Sequence, residues 1–169
     1  CEIGPNAMVR DCIVGKDTTI NASQVNESTI GSYTTVGPFT YVRPNCRIGD
    51  HCRVGDFVEV KNSVIGDGTK ISHLTYVGDS DVGQRVNFGC GTVTTNYDGH
   101  KKHRCTIGDD VFLGCNTNLI APVTVEDRAY TAAGSTVTDD VPEGALAIAR
   151  QRQTNIRGWA DRLRKTWKK

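Results

Sequence analysis

His73 is the side chain in this sequence best suited to acid–base chemistry near neutral pH, and it stands in the run HLTYVGD at positions 73–79. An imidazole titrates near neutrality, so it can accept or donate a proton there as a general base or acid. Two cations earlier in the chain, Arg43 and Lys61, suit the recognition of a phosphate group. Glu59 is a candidate to orient the imidazole and to favour its protonated form. Whether these groups meet depends on the elements that carry them.

Those elements are set by an aliphatic residue that recurs every six positions, in many places followed by glycine. A period this strict predicts a solenoid built from repeated units. The spacing shortens by one residue at two steps, from position 60 to 65 and from 77 to 82, and the segment 95–104 interrupts it once. Grouped in threes, the aliphatic positions give the coils 30/36/42, 48/54/60, 65/71/77, 82/88/94, 107/113/119 and 125/131/137, after a less regular start at 3/9 and 14/20/25.

Three short strands per coil predict an all-β fold, a parallel β-helix shaped as a triangular prism. Each coil stacks on the previous one at about 4.8 Å, the spacing of hydrogen-bonded strands. The recurring aliphatic residue points into the prism, and equivalent positions of successive coils form vertical columns on its surface. In one such column Lys61 stands directly above Arg43. The neighbouring column, one residue before the third aliphatic position, contains Tyr41, Glu59 and Tyr76.

A further column contains His73 and lies two positions after the middle aliphatic residue of each coil. Above His73 its members are small or carry a thiol, so a groove with little side-chain bulk leads away from the imidazole. Such a groove suits a long, narrow ligand that contacts backbone amides. The column reads Pro38, Asp56, His73, Cys90, Cys115 and Ala133.

The seven cysteines are not expected to form a metal or disulfide framework. Their number is odd, and no C-x-x-C spacing occurs among them. Free cysteine behaves as a small apolar residue that packs in protein interiors. Five of the seven stand two residues before an aliphatic position, so we expect them to be buried: Cys1, Cys12, Cys46, Cys52 and Cys105.

Two segments fall outside the repeat. The polar segment 95–104 contains an Asp98-Gly99 turn and predicts a loop that protrudes from one corner, where functional contacts are common. The tail 150–169 carries eight of the twenty Lys and Arg residues against the single acid Asp161, a balance that suits an anionic partner. We therefore divide the chain into a β-helix domain, 1–141, and a basic tail, 142–169. A short helix is predicted within the tail, with one apolar stripe formed by Ile156, Trp159, Leu163 and Trp167.

Composition argues against a membrane-spanning helical protein. The sequence has 18 glycines, only 5 prolines and few aromatic residues, a balance typical of strands separated by turns. No apolar run approaches the length of about 20 residues that spans a bilayer, and no signal pattern opens the chain. We expect a soluble, cytoplasmic protein. Because the chain begins at Cys1, already in repeat register, we also expect it to be part of a longer polypeptide.

The motifs of this chain resemble those of one family throughout nearly its whole length. The family is the C-terminal acetyltransferase domain of the bacterial bifunctional enzyme that makes UDP-N-acetylglucosamine. Hexads alone are shared by a whole superfamily, whereas the HLTY and NYDG runs are specific. The resemblance rests on GPF at 37–39, RP at 43–44, GDFVEVK at 55–61, SHLTYVGD at 72–79, NFGCGT at 87–92, TNYDG at 95–99, APVT at 121–124, AAGS at 132–135 and LAIAR at 146–150.

The resemblance implies a left-handed β-helix, a homotrimer, and acetyl transfer from acetyl-CoA to the amine of glucosamine 1-phosphate. The product, N-acetylglucosamine 1-phosphate, serves UDP-N-acetylglucosamine and cell-wall synthesis. The uridylyltransferase half is absent from this chain. No metal is expected for the acetyl step, and neither nucleic acid nor membrane is an expected partner.

By position, the resemblance also implies roles for individual residues. His73 is the expected base. The expected phosphosugar contacts are Arg43, Lys61, Tyr76 and Asn87. The expected acetyl-CoA contacts are Cys90, Asn96, Tyr97, Cys115, Ala133 and Arg150. Family members often have Ala in place of Cys90 and Ser in place of Cys115, which fits contacts made by the main chain.

Three alternatives remain open at this stage. The same scaffold carries other hexapeptide-repeat acyltransferases with different acceptors. It also carries zinc enzymes like the γ-class carbonic anhydrases, which need three convergent histidines; of the four histidines here, only His100 and His103 lie close together in sequence. A non-catalytic repeat protein that serves binding or assembly is the third.

Overall fold

A computed structural model describes residues 1–167, and residues 168–169 of the predicted basic tail lie outside the described part. Within residues 1–167 the chain forms many strands of two to four residues and one short α-helix. In chain order these elements are β1 (Glu2–Ile3), β2 (Met8–Arg10), β3 (Ile13–Val14), β4 (Thr19–Ile20), β5 (Gln24–Asn26), β6 (Thr29–Ile30), β7 (Thr35–Val36), β8 (Tyr41–Val42), β9 (Arg47–Ile48), β10 (Arg53–Asp56), β11 (Glu59–Lys61), β12 (Val64–Ile65), β13 (Lys70–His73), β14 (Tyr76–Gly78), β15 (Ser80–Val82), β16 (Asn87–Phe88), β17 (Val93–Thr95), β18 (Cys105–Ile107), β19 (Phe112–Leu113), β20 (Asn118–Ile120), β21 (Thr124–Val125), β22 (Tyr130–Thr131), β23 (Thr136–Val137), β24 (Leu146–Ala147) and α1 (Trp159–Thr166).

The strands stack into three parallel sheets, which form the three faces of a prism. The first sheet has the order β1-β4-β7-β10-β13-β16-β19-β22-β24, the second β2-β5-β8-β11-β14-β17-β20-β23, and the third β3-β6-β9-β12-β15-β18-β21. Val54 pairs with Val36 in the coil before it and with Ile71 in the coil after it. The hexad register predicted from the sequence is therefore confirmed, as is the all-β solenoid. The left-handed sense of the coil stays a prediction from the resemblance.

The interior of the prism is filled by the aliphatic residues of the repeat. Successive strand residues point to opposite sides of a sheet, so one residue of each short strand faces inward. Val54, Ile71 and Val77, one from each of three neighbouring strands, are completely buried. Because every coil repeats this arrangement, one continuous apolar core runs the length of the prism and holds the corners in place.

The five cysteines that were expected inside divide into two groups. Cys46, Cys52 and Cys105 are buried, and burial raises the pKa of each thiol, that of Cys105 to about 11. Cys1 is exposed and Cys12 only partly buried, so the prediction is wrong for these two. Both lie in the first coils, where the end of the stack leaves inward-facing side chains uncovered.

The β-helix extends past residue 141, where the sequence placed its end. β24 pairs with β22 and adds a ninth strand to the first sheet. The predicted helix is present as α1, which follows Gly158 in a left-handed conformation (φ 71°). Three residues of its apolar stripe, Ile156, Trp159 and Trp167, are exposed. α1, the one helix that residues 1–167 form, is not long and apolar enough to cross a bilayer.

Aspartates at the corner between the third and first sheets join successive coils. A carboxylate oxygen of Asp50 accepts the N–H of Ser32 at 2.6 Å, and one of Asp67 accepts the N–H of Asp50 at 2.8 Å. Position 49 is glycine because an added Cβ would collide with the Asp67 carboxylate. The contact recurs farther along the prism, and we call the four residues the aspartate ladder: Asp50, Asp67, Asp109 and Asp127.

Candidate active site

The histidine corner, where the first sheet meets the second, is formed by the last residues of β10 and β13. These residues, Asp56 and His73, are in register across the sheet. His73 Nδ1 lies 3.4 Å from Asp56 Oδ1, and the two side chains are 56% and 40% exposed. The backbone turns at Leu74 (φ 46°), whose N–H donates to the carbonyl of Asp56 at 3.1 Å. A carboxylate beside Nδ1 favours the tautomer with its proton on Nδ1, which leaves the lone pair of Nε2 available.

The column above His73 is assembled in the predicted order. Cys90 is partly buried, whereas Cys115 and Ala133 are exposed at the next two corners. The column ends at Arg150, whose Nε donates to the carbonyl of Ala133 at 2.9 Å. Three backbone hydrogen bonds tie its coils together: Gly91 N–H to His73 O at 3.4 Å, Asn116 N–H to Cys90 O at 2.8 Å and Gly134 N–H to Cys115 O at 2.8 Å.

The two predicted phosphate-binding cations are neighbours on the second sheet, each beside a carboxylate. Arg43 donates from Nη1 to Glu59 Oε1 at 2.9 Å, and Lys61 donates from Nζ to Asp79 Oδ2 at 3.3 Å. Together with Lys102 from the loop, they line a surface depression of about 360 Å³. Three cations and two carboxylates leave one positive charge here, so the depression suits an anionic group.

Lys102 is a residue that the sequence analysis did not name. The ion pair with Asp79 raises the pKa of Lys61, while the neighbouring charge of Lys61 lowers the pKa of Lys102. Of these two ammonium groups, Lys61 therefore holds its proton more firmly. The hexad pattern could not locate Lys102, because the loop that carries it is outside the repeat.

Tyr76 and Asn96, which the sequence assigned to different substrates, contact each other. Asn96 is buried and donates from Nδ2 to Tyr76 Oη at 3.3 Å and also to Asp79 Oδ2. Gly78 leaves room for these two side chains, since an added Cβ would collide with the Tyr76 hydroxyl and lie 2.8 Å from Asn96 Nδ2. Tyr97, the next residue, is exposed.

The loop after β17 is folded around Asp98. Its Oδ1 accepts the backbone N–H groups of His100 and Lys101, each at 2.7 Å, and its Oδ2 lies 2.7 Å from His103 Nε2. The hydrogen bond from Lys101, followed by the contact with His103, lowers the pKa of Asp98 to about 2. The loop is thus held by an ionised carboxylate at all physiological pH values.

Asn87 lies on a different face of the prism from the other predicted phosphosugar contacts. It is the first residue of β16 in the first sheet and alternates with the buried Phe88, so its side chain points outward there. Arg43, Lys61 and Tyr76 point outward from the second sheet. The two faces meet only at the histidine corner, so the described chain does not gather all the predicted contacts into one pocket.

Glu59 differs most from its expected role. The sequence predicts Glu59 beside His73, but in the structure Glu59 accepts a hydrogen bond from Arg43. The carboxylate beside the imidazole belongs to Asp56. Asp56 stands one coil before His73 in the same column, and this position in the sequence could have identified it as the partner of the imidazole. Among residues 1–167 there is no group of three His, Cys, Asp or Glu side chains arranged to hold a metal ion.

Comparison with known proteins agrees with this architecture. The family described as "Bacterial transferase hexapeptide (six repeats)" matches residues 27–62 and 104–139. These two segments of the chain carry the hexapeptide repeats that this family describes.

The chain is homologous to the C-terminal part of the bifunctional protein GlmU. It is 56% identical to the protein of Clostridium acetobutylicum over 162 residues, which are 96% of this chain and 36% of the relative. It is 62% identical to that of Oceanobacillus iheyensis over 164 residues, 97% of this chain and 36% of the relative. The chain thus spans about a third of the length of the relatives it matches.

Solved structures share the fold. A variant of perosamine N-acetyltransferase from Caulobacter crescentus, in complex with CoA and GDP-perosamine, superposes with a TM-score of 0.61 at 26% identity. That superposition covers 69% of this chain and 53% of the other. UDP-N-acetylglucosamine acyltransferase from Campylobacter jejuni gives a TM-score of 0.61 at 18% identity over 99% of this chain and 83% of the other, a likeness of fold alone.

Proposed function

We propose that this chain transfers the acetyl group of acetyl-CoA to the amine of glucosamine 1-phosphate, giving N-acetylglucosamine 1-phosphate and CoA. The observation that carries the proposal is the identity of 56% to GlmU over 96% of the chain. The site agrees with this reaction, because an imidazole stands beside both a narrow column and a cationic depression. The perosamine N-acetyltransferase relative, whose structure holds CoA and an amino-sugar nucleotide, also supports an acyl-CoA donor and an amino-sugar acceptor.

His73 acts as the general base in this proposal. The amine nitrogen attacks the thioester carbon, the C–S bond breaks, and CoA leaves as a thiolate that takes up a proton. Nε2 of His73 removes the proton that the attacking amine loses, and Asp56 beside Nδ1 stabilises the charge that the ring gains. Backbone N–H groups along the column are available to stabilise the developing oxyanion. No acyl-enzyme is needed, so Cys90 is assigned a binding position and not a nucleophilic role.

Acetyl-CoA lies along the column in this proposal, with its acetyl end at His73. Its extended arm passes Cys90 and Cys115, and its anionic nucleotide end reaches Ala133 and Arg150. Three coil steps separate His73 from Ala133, a distance of about 14 Å at the strand spacing. The contact between Arg150 and the carbonyl of Ala133 supports this direction, because it holds a cation at the far end of the column.

The phosphosugar is assigned to the cationic depression and its surroundings, with Arg43, Lys61 and Lys102 around the phosphate. Because Asn87 points from the first sheet and Tyr76 from the second, one prism cannot enclose a small sugar between them. We therefore propose a homotrimer, in which the first face of one subunit lies against the second face of the next and closes the site. A closed three-fold ring satisfies this head-to-tail contact for every subunit. We further propose that the trimer works in the cytoplasm, without metal, nucleic acid or membrane.

The test is an acetyl-transfer assay with the purified chain. Thiol release from acetyl-CoA is followed with glucosamine 1-phosphate, and with glucosamine and glucosamine 6-phosphate as comparison acceptors. Release that depends on glucosamine 1-phosphate, with the acetylated sugar phosphate identified by mass spectrometry, supports the proposal. If the chain binds acetyl-CoA but releases thiol only with another acceptor, a different acyltransferase activity is favoured. If it binds neither acetyl-CoA nor glucosamine 1-phosphate, a non-catalytic role is favoured. Stoichiometric zinc in the purified protein, lost together with activity on chelation, would favour a metal enzyme.

A further inference from the structure

Asp79 is a buried carboxylate to which the sequence analysis assigned no role. It lies in the turn that follows β14, with a left-handed backbone (φ 48°), and only 4% of its surface is exposed. Its Oδ1 accepts a hydrogen bond from Asn62 Nδ2 at 2.6 Å. Its Oδ2 accepts hydrogen bonds from Lys61 Nζ at 3.3 Å and from Asn96 Nδ2. Three side chains from two segments of the chain, residues 61–62 and residue 96, therefore converge on one carboxylate.

The partners of Asp79 keep it ionised. Burial alone would raise the pKa of this carboxyl, but the hydrogen bonds from Asn62, Asn96 and Lys61 outweigh burial and lower the pKa below its ordinary value. A buried charge without partners is costly, so the carboxylate and its donors hold one another in a fixed arrangement. The negative charge is consequently a permanent feature of the site at neutral pH.

The donors that meet at Asp79 belong to both halves of the site. Lys61 lines the depression proposed for the sugar phosphate, and Asn96 is among the proposed acetyl-CoA contacts and also donates to Tyr76. We propose that Asp79 is a positioning residue that holds Lys61 for the acceptor and Asn96 for the donor, so that one carboxylate fixes a contact of each substrate. This inference rests on the proposed function.

The surrounding charges explain why Lys61 needs this anchor. Lys61 is in contact with Lys102, and Arg43 precedes it in the column. Glu59 is occupied by Arg43, so Asp79 is the carboxylate paired with Lys61. Without that charge, mutual repulsion favours rotation of the flexible lysine chain towards solvent, away from the position that meets the phosphate.

Asp79→Asn is the test variant, and Asp110→Asn is its matched control. Asparagine keeps the size of aspartate and tolerates the left-handed backbone. It carries one oxygen and one NH₂ group, so at least one of the three donors then faces another donor. Asp110 has the same left-handed backbone (φ 56°) and a salt bridge, to Arg85 at 2.7 Å, at a corner outside the site. Steady-state kinetics and the melting temperature are measured for both variants.

Asp79→Asn is expected to raise KM for glucosamine 1-phosphate about tenfold, the scale of one lost charge-assisted hydrogen bond. KM for acetyl-CoA should rise as well, through Asn96, while Asp110→Asn changes neither. In a Lys61→Met background the same substitution should no longer change KM for the phosphosugar, yet still raise KM for acetyl-CoA. The proposal is overturned if Asp79→Asn lowers the melting temperature but leaves both KM values unchanged. It is also overturned if Asp79→Asn raises KM for the phosphosugar equally in the wild-type and the Lys61→Met background.

Titration of the Lys61 ammonium group by NMR separates this inference from the proposed function. Lys61 is faced by Asp79, Lys102, Arg43 and Tyr76, and of these only Asp79 changes in the variant. Asp79→Asn should lower the pKa of Lys61, whether or not the wild-type chain transfers acetyl. An unchanged Lys61 titration refutes the positioning role. Absence of acetyl transfer in the wild-type chain refutes the proposed function instead.

Discussion

Replacing His73 with alanine should remove most of the acetyl-transfer rate while leaving the fold intact. A general base typically contributes about 10²–10⁴-fold to the rate, equivalent to roughly 2.7–5.5 kcal/mol of activation free energy. The side chain is 56% exposed, and its contact with Asp56 at 3.4 Å joins two partly exposed groups. Exposed pairs of this kind contribute about 0.2–1 kcal/mol to stability. The loss of activity, expressed as activation free energy, should therefore exceed the loss of stability by roughly 2–5 kcal/mol.

The assay is thiol release from acetyl-CoA at saturating glucosamine 1-phosphate, with the melting temperature measured on the same samples. His51→Ala is the matched control, because His51 is also exposed at a corner of the prism, where its ring stacks on Tyr33 at 4.9 Å. We expect His51→Ala to keep the wild-type rate. If folded His73→Ala protein turns over at the wild-type rate, the base assignment is refuted. If both variants lose activity equally, the loss reflects the scaffold and not the imidazole.

Three further changes test other parts of the site. Cys90→Ala should retain the wild-type rate, since the column is assigned main-chain contacts; inactivation, or acetyl-cysteine detected by mass spectrometry, would indicate covalent catalysis. Truncation after Ala149 should weaken acetyl-CoA binding in calorimetry and flatten its salt dependence, because Arg150 and the basic tail are removed; unchanged affinity and salt slope would exclude Arg150 from the cofactor contacts. The carboxylate of Asp98, with its pKa lowered to about 2, should order the loop at all pH values above about 4 and lose this effect as pH falls through about 2. Hydrogen exchange of the His100 and Lys101 amides, which donate to Asp98, measures the order of the loop. Exchange that is faster at pH 5 than at pH 7 would contradict the prediction.

Much of the fold could be predicted because the repeat encodes both the strands and their neighbours. Once Val54 and Ile71 are recognised as equivalent positions, the stacking of coils follows, and the columns that contain His73 and Lys61 follow from it. The same rule aligned Asp56 with His73. The sequence predicts Glu59 as the partner of the imidazole because its column lies next to the corner that carries His73. Its side chain turns towards Arg43 instead, and side-chain direction is not encoded by a six-residue period.

The parts of the site that escaped sequence analysis lie where the period fails. Lys102 belongs to the inserted loop, whose path depends on the contacts of Asp98 and not on the hexads. Asp79 stands in one of the turns shortened by a residue, and only the packed structure shows that Lys61 and Asn96 both reach it. The pattern locates residues on strands well, whereas turns and loops are positioned by individual hydrogen bonds.

The aspartate ladder also determines where this scaffold can accept new sequence. At the ladder corner a carboxylate of one coil accepts a backbone N–H of the coil before it, so an extra residue there would shift the acceptor away from its donor. The corner between the second and third sheets already carries the 95–104 loop, inserted without interrupting the pairing of β15 with β18. Engineered peptides, tags or linkers should therefore be grafted at that corner. The same insertion beside Asp50 or Asp67 should separate adjacent coils.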